Sequence, residues 1–191
     1  LVLPALHAKE AVCFKITGGT DVKWSPAISY FQHVFCDFLK KMGAEITVEV
    51  QKRGFYPKGG GIVNVMIKPG MFKALNLIER GALKSISAES IASSSLKGAK
   101  VAERQIDGAK KVLNAVNTNT NTSEAVNTNN NVLDATNTNT ANTIKTVSIS
   151  YSDSLSPGSS FHIHADYEGC RLGATARAEL HNSAEKVGEE A

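Results

Sequence analysis

From Tyr30 onward, apolar side chains fall at Tyr30, Phe31, Val34, Phe35, Phe38, Leu39 and Met42, the spacing of one helix face, and Gly43 offers a left-handed stop just beyond. A helix from Ser29 to Met42 is therefore expected. Burying those side chains contributes about 1.5–3 kcal/mol each before entropy is subtracted, so this face should anchor the local core. Glu45 to Val50 alternates apolar and polar with period two, Ile62 to Ile67 forms a second extended run, and Ala11 to Thr17 reads as a strand ending at the Gly18-Gly19 turn. Leu1 to Ala8 is apolar and helix-compatible despite Pro4. The expected order over this stretch is helix, strand, helix, strand, strand.

Further along, Leu75 to Ser90 reads as strand, Lys100 to Asn114 as helix, and Ile144 to Tyr151, Ser159 to Asp166 and Cys170 to Ala176 as short strands. The mixture predicts an α+β chain. Between the helix and the next strand a motif recurs with a period of ten: Ala115-Val116-Asn117-Thr118-Asn119, Ala125-Val126-Asn127-Thr128-Asn129, Ala135-Thr136-Asn137-Thr138-Asn139. So little apolar surface cannot offset about 1–2 kcal/mol of backbone entropy per residue, so Val116 to Asn142 is expected to be disordered. A solenoid is excluded because it needs bulky apolar residues at each turn. No function is assigned to the tract.

With 191 residues, 42% of them apolar, the chain suffices for one medium domain or two small ones. The net charge of +3 hides an asymmetry: residues 1–80 hold eleven Lys/Arg against six Asp/Glu, while residues 81–191 hold ten against twelve. The basic end suits a phosphate-bearing partner but lacks the basic stripe of a dedicated nucleic-acid binder, and an ordinary solvated surface accounts for it equally well. Cys13, Cys36 and Cys170 show neither a pairing pattern nor metal spacing, which suggests reduced thiols in a cytoplasmic protein. No apolar run reaches membrane-spanning length and no signal peptide is visible, so no membrane partner is expected.

The chemistry concentrates at Arg53-Gly54-Phe55-Tyr56-Pro57-Lys58-Gly59-Gly60-Gly61. Glycines after a Tyr-Pro-Lys turn let backbone N–H groups approach an anion, with Arg53 and Lys58 supplying positive charge. The alternative is a hairpin whose glycines only provide positive φ. A Walker A loop is excluded, because the lysine precedes the glycines and no Ser or Thr follows to hold magnesium. His162 and His164 stand two apart on an expected strand with Asp166 continuing the row, so all three face one side. A metal there lacks a fourth ligand; the other reading is surface decoration. Trp24 suits either stacking on a base or packing beside a helix start, and Pro26 alone reads as a helix-opening proline.

Gly18-Gly19-Thr20-Asp21, Trp24-Ser25-Pro26, the helical stretch, Arg53–Gly61, Gly169-Cys170-Arg171-Leu172-Gly173-Ala174 and the segment 183–191 stand in an order that resembles the RNA 3′-terminal phosphate cyclase family. The resemblance covers nearly the whole chain except Val116 to Asn142. It implies the βαβαββ repeat of the cyclase and enolpyruvyl-transferase-like large domain in residues 1–80, a small inserted α/β domain in 81–182, and in 183–191 the start of a helix returning to the large domain. It also implies a ligase forming a phosphoric ester bond: ATP, with Mg2+ or Mn2+, converts an RNA 3′-phosphate end to a 2′,3′-cyclic phosphate through an adenylyl-histidine and an RNA-adenylate. Carried over by position, Pro26 would line the adenine pocket, and Arg53, Lys58, Gly59, Gly60 and Gly61 would meet the RNA phosphate.

The chain starts at Leu1 rather than Met and stops within an apparent helix at Ala191, so it is expected to be an internal fragment, inactive by itself. The nucleophilic histidine of the family falls outside it, leaving no catalytic residue and no metal ligand inside. Ile62 stands where the family often carries Glu, Ser29 where it often carries Asp, and Ala178-Glu179-Leu180-His181 where it has a glycine-bounded turn. A non-catalytic cyclase-like protein of ribosome biogenesis is the rival reading. The Tyr-Pro-Lys-Gly-Gly-Gly block argues against an enolpyruvyl transferase.

Overall fold

The computed structural model describes residues 1–124, 143–179 and 181–191. Residues 1–80 build a three-stranded sheet with helices on one face. A short helix α1 (Val2–Ala5) leads into β1 (Val12–Gly18), then come α2 (Ile28–Tyr30), a π-helical turn (Phe31–Phe35), α3 (Cys36–Lys41), β2 (Glu45–Lys52) and β3 (Gly61–Lys68). β3 lies in the middle, antiparallel to both neighbours. Alternation dictates which side is buried: Val63, Val65 and Ile67 join Ile46, Leu39, Cys36, Ala44, Leu6 and Ala5 in one core, while Met66 looks outward. The expected helix forms, and Gly43 ends it at φ 99°. Its middle turn is π-helical, which lets Phe31 and Phe35 stack with ring centres 5.3 Å apart.

The rest of the described chain forms a four-stranded sheet. β4 (Leu83–Ser93) passes through a 3-10 turn (Ser94–Ala99) into α4 (Val101–Glu124), followed by β5 (Ile144–Ser152), β6 (Ser159–Tyr167), β7 (Arg171–Arg177) and α5 (Ala184–Glu190). The strand order is β5-β4-β6-β7, with β5 parallel to β4 and the other pairs antiparallel. Parallel neighbours need a crossover, and α4 belongs to it. Phe161, Ile106, Ala88, Ala109, Ala176 and Val187 form the core between sheet and helices.

One expectation changes here. α4 runs through Glu124, so the backbone of residues 116–124 is helical where disorder was expected; adding residues to an established helix avoids the cost of a new nucleus. Residues 125–142 of the tract and Leu180 lie outside the described residues. The turns of α5 in this chain pack on α4 and the second sheet. Gly108 and Gly188 let the two helices meet backbone to backbone, since a Cβ at either position would run into the facing chain. Val187 is fully buried there, and Arg104 Nε and Nη2 donate to the Glu185 carboxylate at 2.6 and 2.9 Å.

Candidate RNA-end site

A β-bulge between Val50 and Lys52 ends the regular pairing of β2 and redirects the side chains that follow. Arg53 then points inward and is only 7% exposed. Its Nη1 donates to Ser29 Oγ at 3.0 Å and to Asp21 Oδ2 at 3.4 Å, and its Nη2 to Glu89 Oε1 at 3.4 Å. Asp21, whose side chain is wholly buried, also accepts from Thr20 Oγ1 at 2.7 Å and from Ser160 Oγ at 2.9 Å. Glu89 and Ser160 belong to β4 and β6, so these bonds form a polar seam joining the two sheets. The Arg53 charge is spent inside the protein, and of the two expected cationic contacts only Lys58 reaches the surface.

The glycine loop is equally committed. Gly59 and Gly60 are both left-handed, at φ 62° and 74°, which a residue with a Cβ adopts only with strain. The Gly59 N–H donates to Phe55 O at 2.8 Å and the Lys58 N–H to Ser156 Oγ at 3.1 Å, so neither is directed at an anion. Gly60 lies against Leu155, and the buried Phe55 ring lies against Gly158, where a Cβ would collide with it. The Arg53 N–H donates to Ser152 Oγ at 3.2 Å. Segment 53–61 is thereby clasped to segment 152–158. Beside the clasp a polar cleft of about 620 Å³ opens, lined by Gln32, Lys52, Arg53, Glu89, Ser152 and Asp153.

A corner of exposed groups crowns the seam. Thr20 and Asp21 donate their N–H groups to Gly54 O at 2.9 and 3.3 Å, bringing the loop that carries Trp24 and Pro26 beside the one that carries Tyr56 and Lys58. Pro26, Tyr56 and Lys58 are exposed, and Trp24 is 96% exposed.

Behind the seam lies a second cluster. His162 and His164 do share one face, as their spacing requires, but they are not surface decoration: His162 is 1% exposed and hydrogen-bonds Thr175 Oγ1 through Nδ1 at 2.9 Å. His33, from the π-helical turn, stacks on both, with ring centres 5.6 and 5.2 Å away and planes within 16° and 17° of parallel. Burial, with the neighbouring histidines opposing a further charge, pushes His162 down to about 3; burial and Arg171 push His164 down to about 4. Burial also lowers His33 below the ordinary imidazole value although Glu89 opposes it, so all three rings favour the neutral form near pH 7. His162 Nε2, His164 Nδ1 and Glu89 Oε2 are buried without a hydrogen-bond partner among the described residues. Near-parallel rings aim their lone pairs side by side rather than at one point, and no group of three or more His, Cys, Asp or Glu in the described residues is placed to hold a metal ion.

Sequence reasoning singled out Arg53, Lys58 and Pro26 but missed Asp21, Glu89 and Ser160 as partners, and His33 as third member of the stack. The available signal for His33 was its position as a polar residue amid the apolar spacing of the helix; Glu89 gave none, since its role depends on sheet pairing. The family model for RNA 3′-terminal phosphate cyclase matches residues 1–175. The chain belongs to the RNA 3′-terminal phosphate cyclase family. A cyclase of Halobacterium salinarum is 35% identical over 182 residues, covering 95% of this chain and 44% of that protein. Cyclases of Staphylothermus marinus and Pyrococcus furiosus are 46% and 52% identical over 88 and 69 residues, covering 44% and 36% of this chain and 25% and 20% of theirs. The chain thus spans less than half the length of these cyclases. Among the described residues no helix is long and apolar enough to cross a membrane.

Proposed function

We propose that the protein carrying this chain uses ATP to turn an RNA 3′-phosphate end into a 2′,3′-cyclic phosphate. A histidine outside this chain attacks the α-phosphorus of ATP and pyrophosphate leaves. An oxygen of the RNA 3′-phosphate then attacks the same phosphorus, transferring AMP from the histidine to the RNA end. The vicinal 2′-oxygen finally attacks the 3′-phosphorus and AMP departs, which splits one difficult substitution into easier ones. The match to the cyclase model over residues 1–175 carries this reading. The exposed corner supports it: Pro26 offers the apolar wall an adenine ring needs, and Lys58 is an exposed cation suited to the RNA phosphate.

Arg53 acts in this scheme as a strut that holds the corner on the second sheet. The glycines set the course of the loop rather than cradle the phosphate. Magnesium or manganese would accompany ATP in this scheme, held as a rule by one or two carboxylates and the nucleotide's own phosphates, and no residue of this chain is assigned to it. The test is capture of radiolabelled AMP by the full-length protein, followed by conversion of a 3′-phosphorylated oligoribonucleotide to an acid-labile cyclic end. Absence of both the adduct and the cyclic end under turnover conditions removes the enzyme reading and leaves the binding-protein rival.

A further inference from the structure

Trp24 is the single tryptophan of the chain, and it is 96% exposed on a backbone at φ 69°. Left-handed geometry is unusual for a bulky residue and persists only where surrounding contacts enforce it. They do so here. Arg177 Nη1 donates to Ser25 O at 3.3 Å, Lys23 pairs with Glu179 at 3.0 Å, and the Ile28 N–H closes the loop on Thr20 O at 3.0 Å. The loop is thus tied on both sides of Trp24 while its indole is held out in water, where its large apolar surface gains nothing from burial.

The neighbouring loop repeats the pattern. Asp21 and Phe55 form a backbone bridge, and from that shared corner Phe55 turns into the protein while Tyr56, 78% exposed, turns out. Exposed Lys58 follows two residues later. Two outward aromatic rings and an ammonium without a partner among the described residues, on adjoining, internally braced loops, are the parts of a single-strand platform: rings for base faces, a cation for the phosphodiester between them.

We propose that Trp24 and Tyr56 stack the last bases of a single-stranded RNA 3′ end, with Lys58 neutralising a backbone phosphate beside them. The proposal rests on the RNA-end reading above and adds to it a base-stacking site independent of the chemical step. The lone tryptophan makes it measurable directly. The full-length protein, with any tryptophan other than Trp24 replaced by phenylalanine, is titrated with a 3′-phosphorylated oligoribonucleotide, with the same strand abasic at its last positions, and with ATP. Indole fluorescence should be quenched by the intact strand and not by the abasic one.

With end-labelled RNA, Trp24→Ala and Tyr56→Ala should each weaken binding roughly tenfold with little change in salt dependence. Lys58→Ala should lower the slope of log affinity against log salt by about 0.7. Both aromatic rings are exposed, so these variants keep the fold, which circular dichroism checks. Equal affinity for intact and abasic strands, quenching by ATP but not RNA, or an indole already shielded from acrylamide in the RNA-free full-length protein would each overturn the proposal. Quenching by RNA without AMP capture would remove only the cyclase chemistry; AMP capture without quenching would remove only the platform.

Discussion

Arg53 and Lys58 are five residues apart in one loop, yet they sit in opposite environments. Arg53 is locked among Ser29, Asp21 and Glu89 and joins two sheets; Lys58 stands in solvent and, among the described residues, only its backbone N–H is committed, to Ser156. The same charge therefore supports architecture at one position and is free for a ligand at the other. What separates them is the bulge at Val50/Lys52 and the clasp of segment 53–61 on 152–158. Positive charge in a glycine-rich motif identifies a phosphate contact only after the direction of each side chain is known.

The sharpest way to break this contrast is Arg53→Ala. It strands the buried Asp21 carboxylate and the half-buried Glu89, and should cost about 3–5 kcal/mol in urea unfolding. A cost no greater than that of Lys58→Ala would abolish the distinction. Acid tests the seam next. The folded His162 and His164 titrate near 3 and 4, below the ordinary imidazole value of 6.5, so between those limits the unfolded chain binds more protons than the folded one. Their contribution is fully present above pH 6.5 and is lost as pH falls toward 3. The urea midpoint should drop across that window, and His162→Gln should flatten the slope.

Gly158→Ala drives a methyl into the Phe55 ring at the clasp and should cost roughly 1–3 kcal/mol, read as a lower melting temperature. The smallest stability effect belongs to Lys58→Ala, within about 0.5 kcal/mol of the parent chain. Its consequence should appear in RNA binding alone. Equal stability losses at Gly158 and Lys58 would place both on the same side of the comparison.

Local pattern made much of the fold legible. The period-two run of β2, the apolar run of β3 and the helical spacing from Tyr30 were sufficient because each element buries one face against its neighbours. The strands of the second sheet were found close to their places, except that β4 begins at Leu83 where the expected strand began at Leu75. What escaped was non-local. A single-residue bulge reverses which side chains face inward, and nothing in Val50-Gln51-Lys52 announces it. His33 meets His162 and His164 only because the helix of the first sheet docks on the second, a contact between residues far apart in sequence. The helix at 183–191 was expected from family resemblance, whereas the Gly108 and Gly188 contact that holds its turns on α4 is visible only in three dimensions.

Because β4 and β5 run parallel, the chain leaving the end of β4 has to come back to the opposite end of the sheet before β5 can begin, and α4 belongs to that return. The two neighbours are thus brought together only after a long crossover has closed. Such non-local pairing is intrinsically slow, which makes this edge a late part of assembly beside the tight turn that joins β6 to β7.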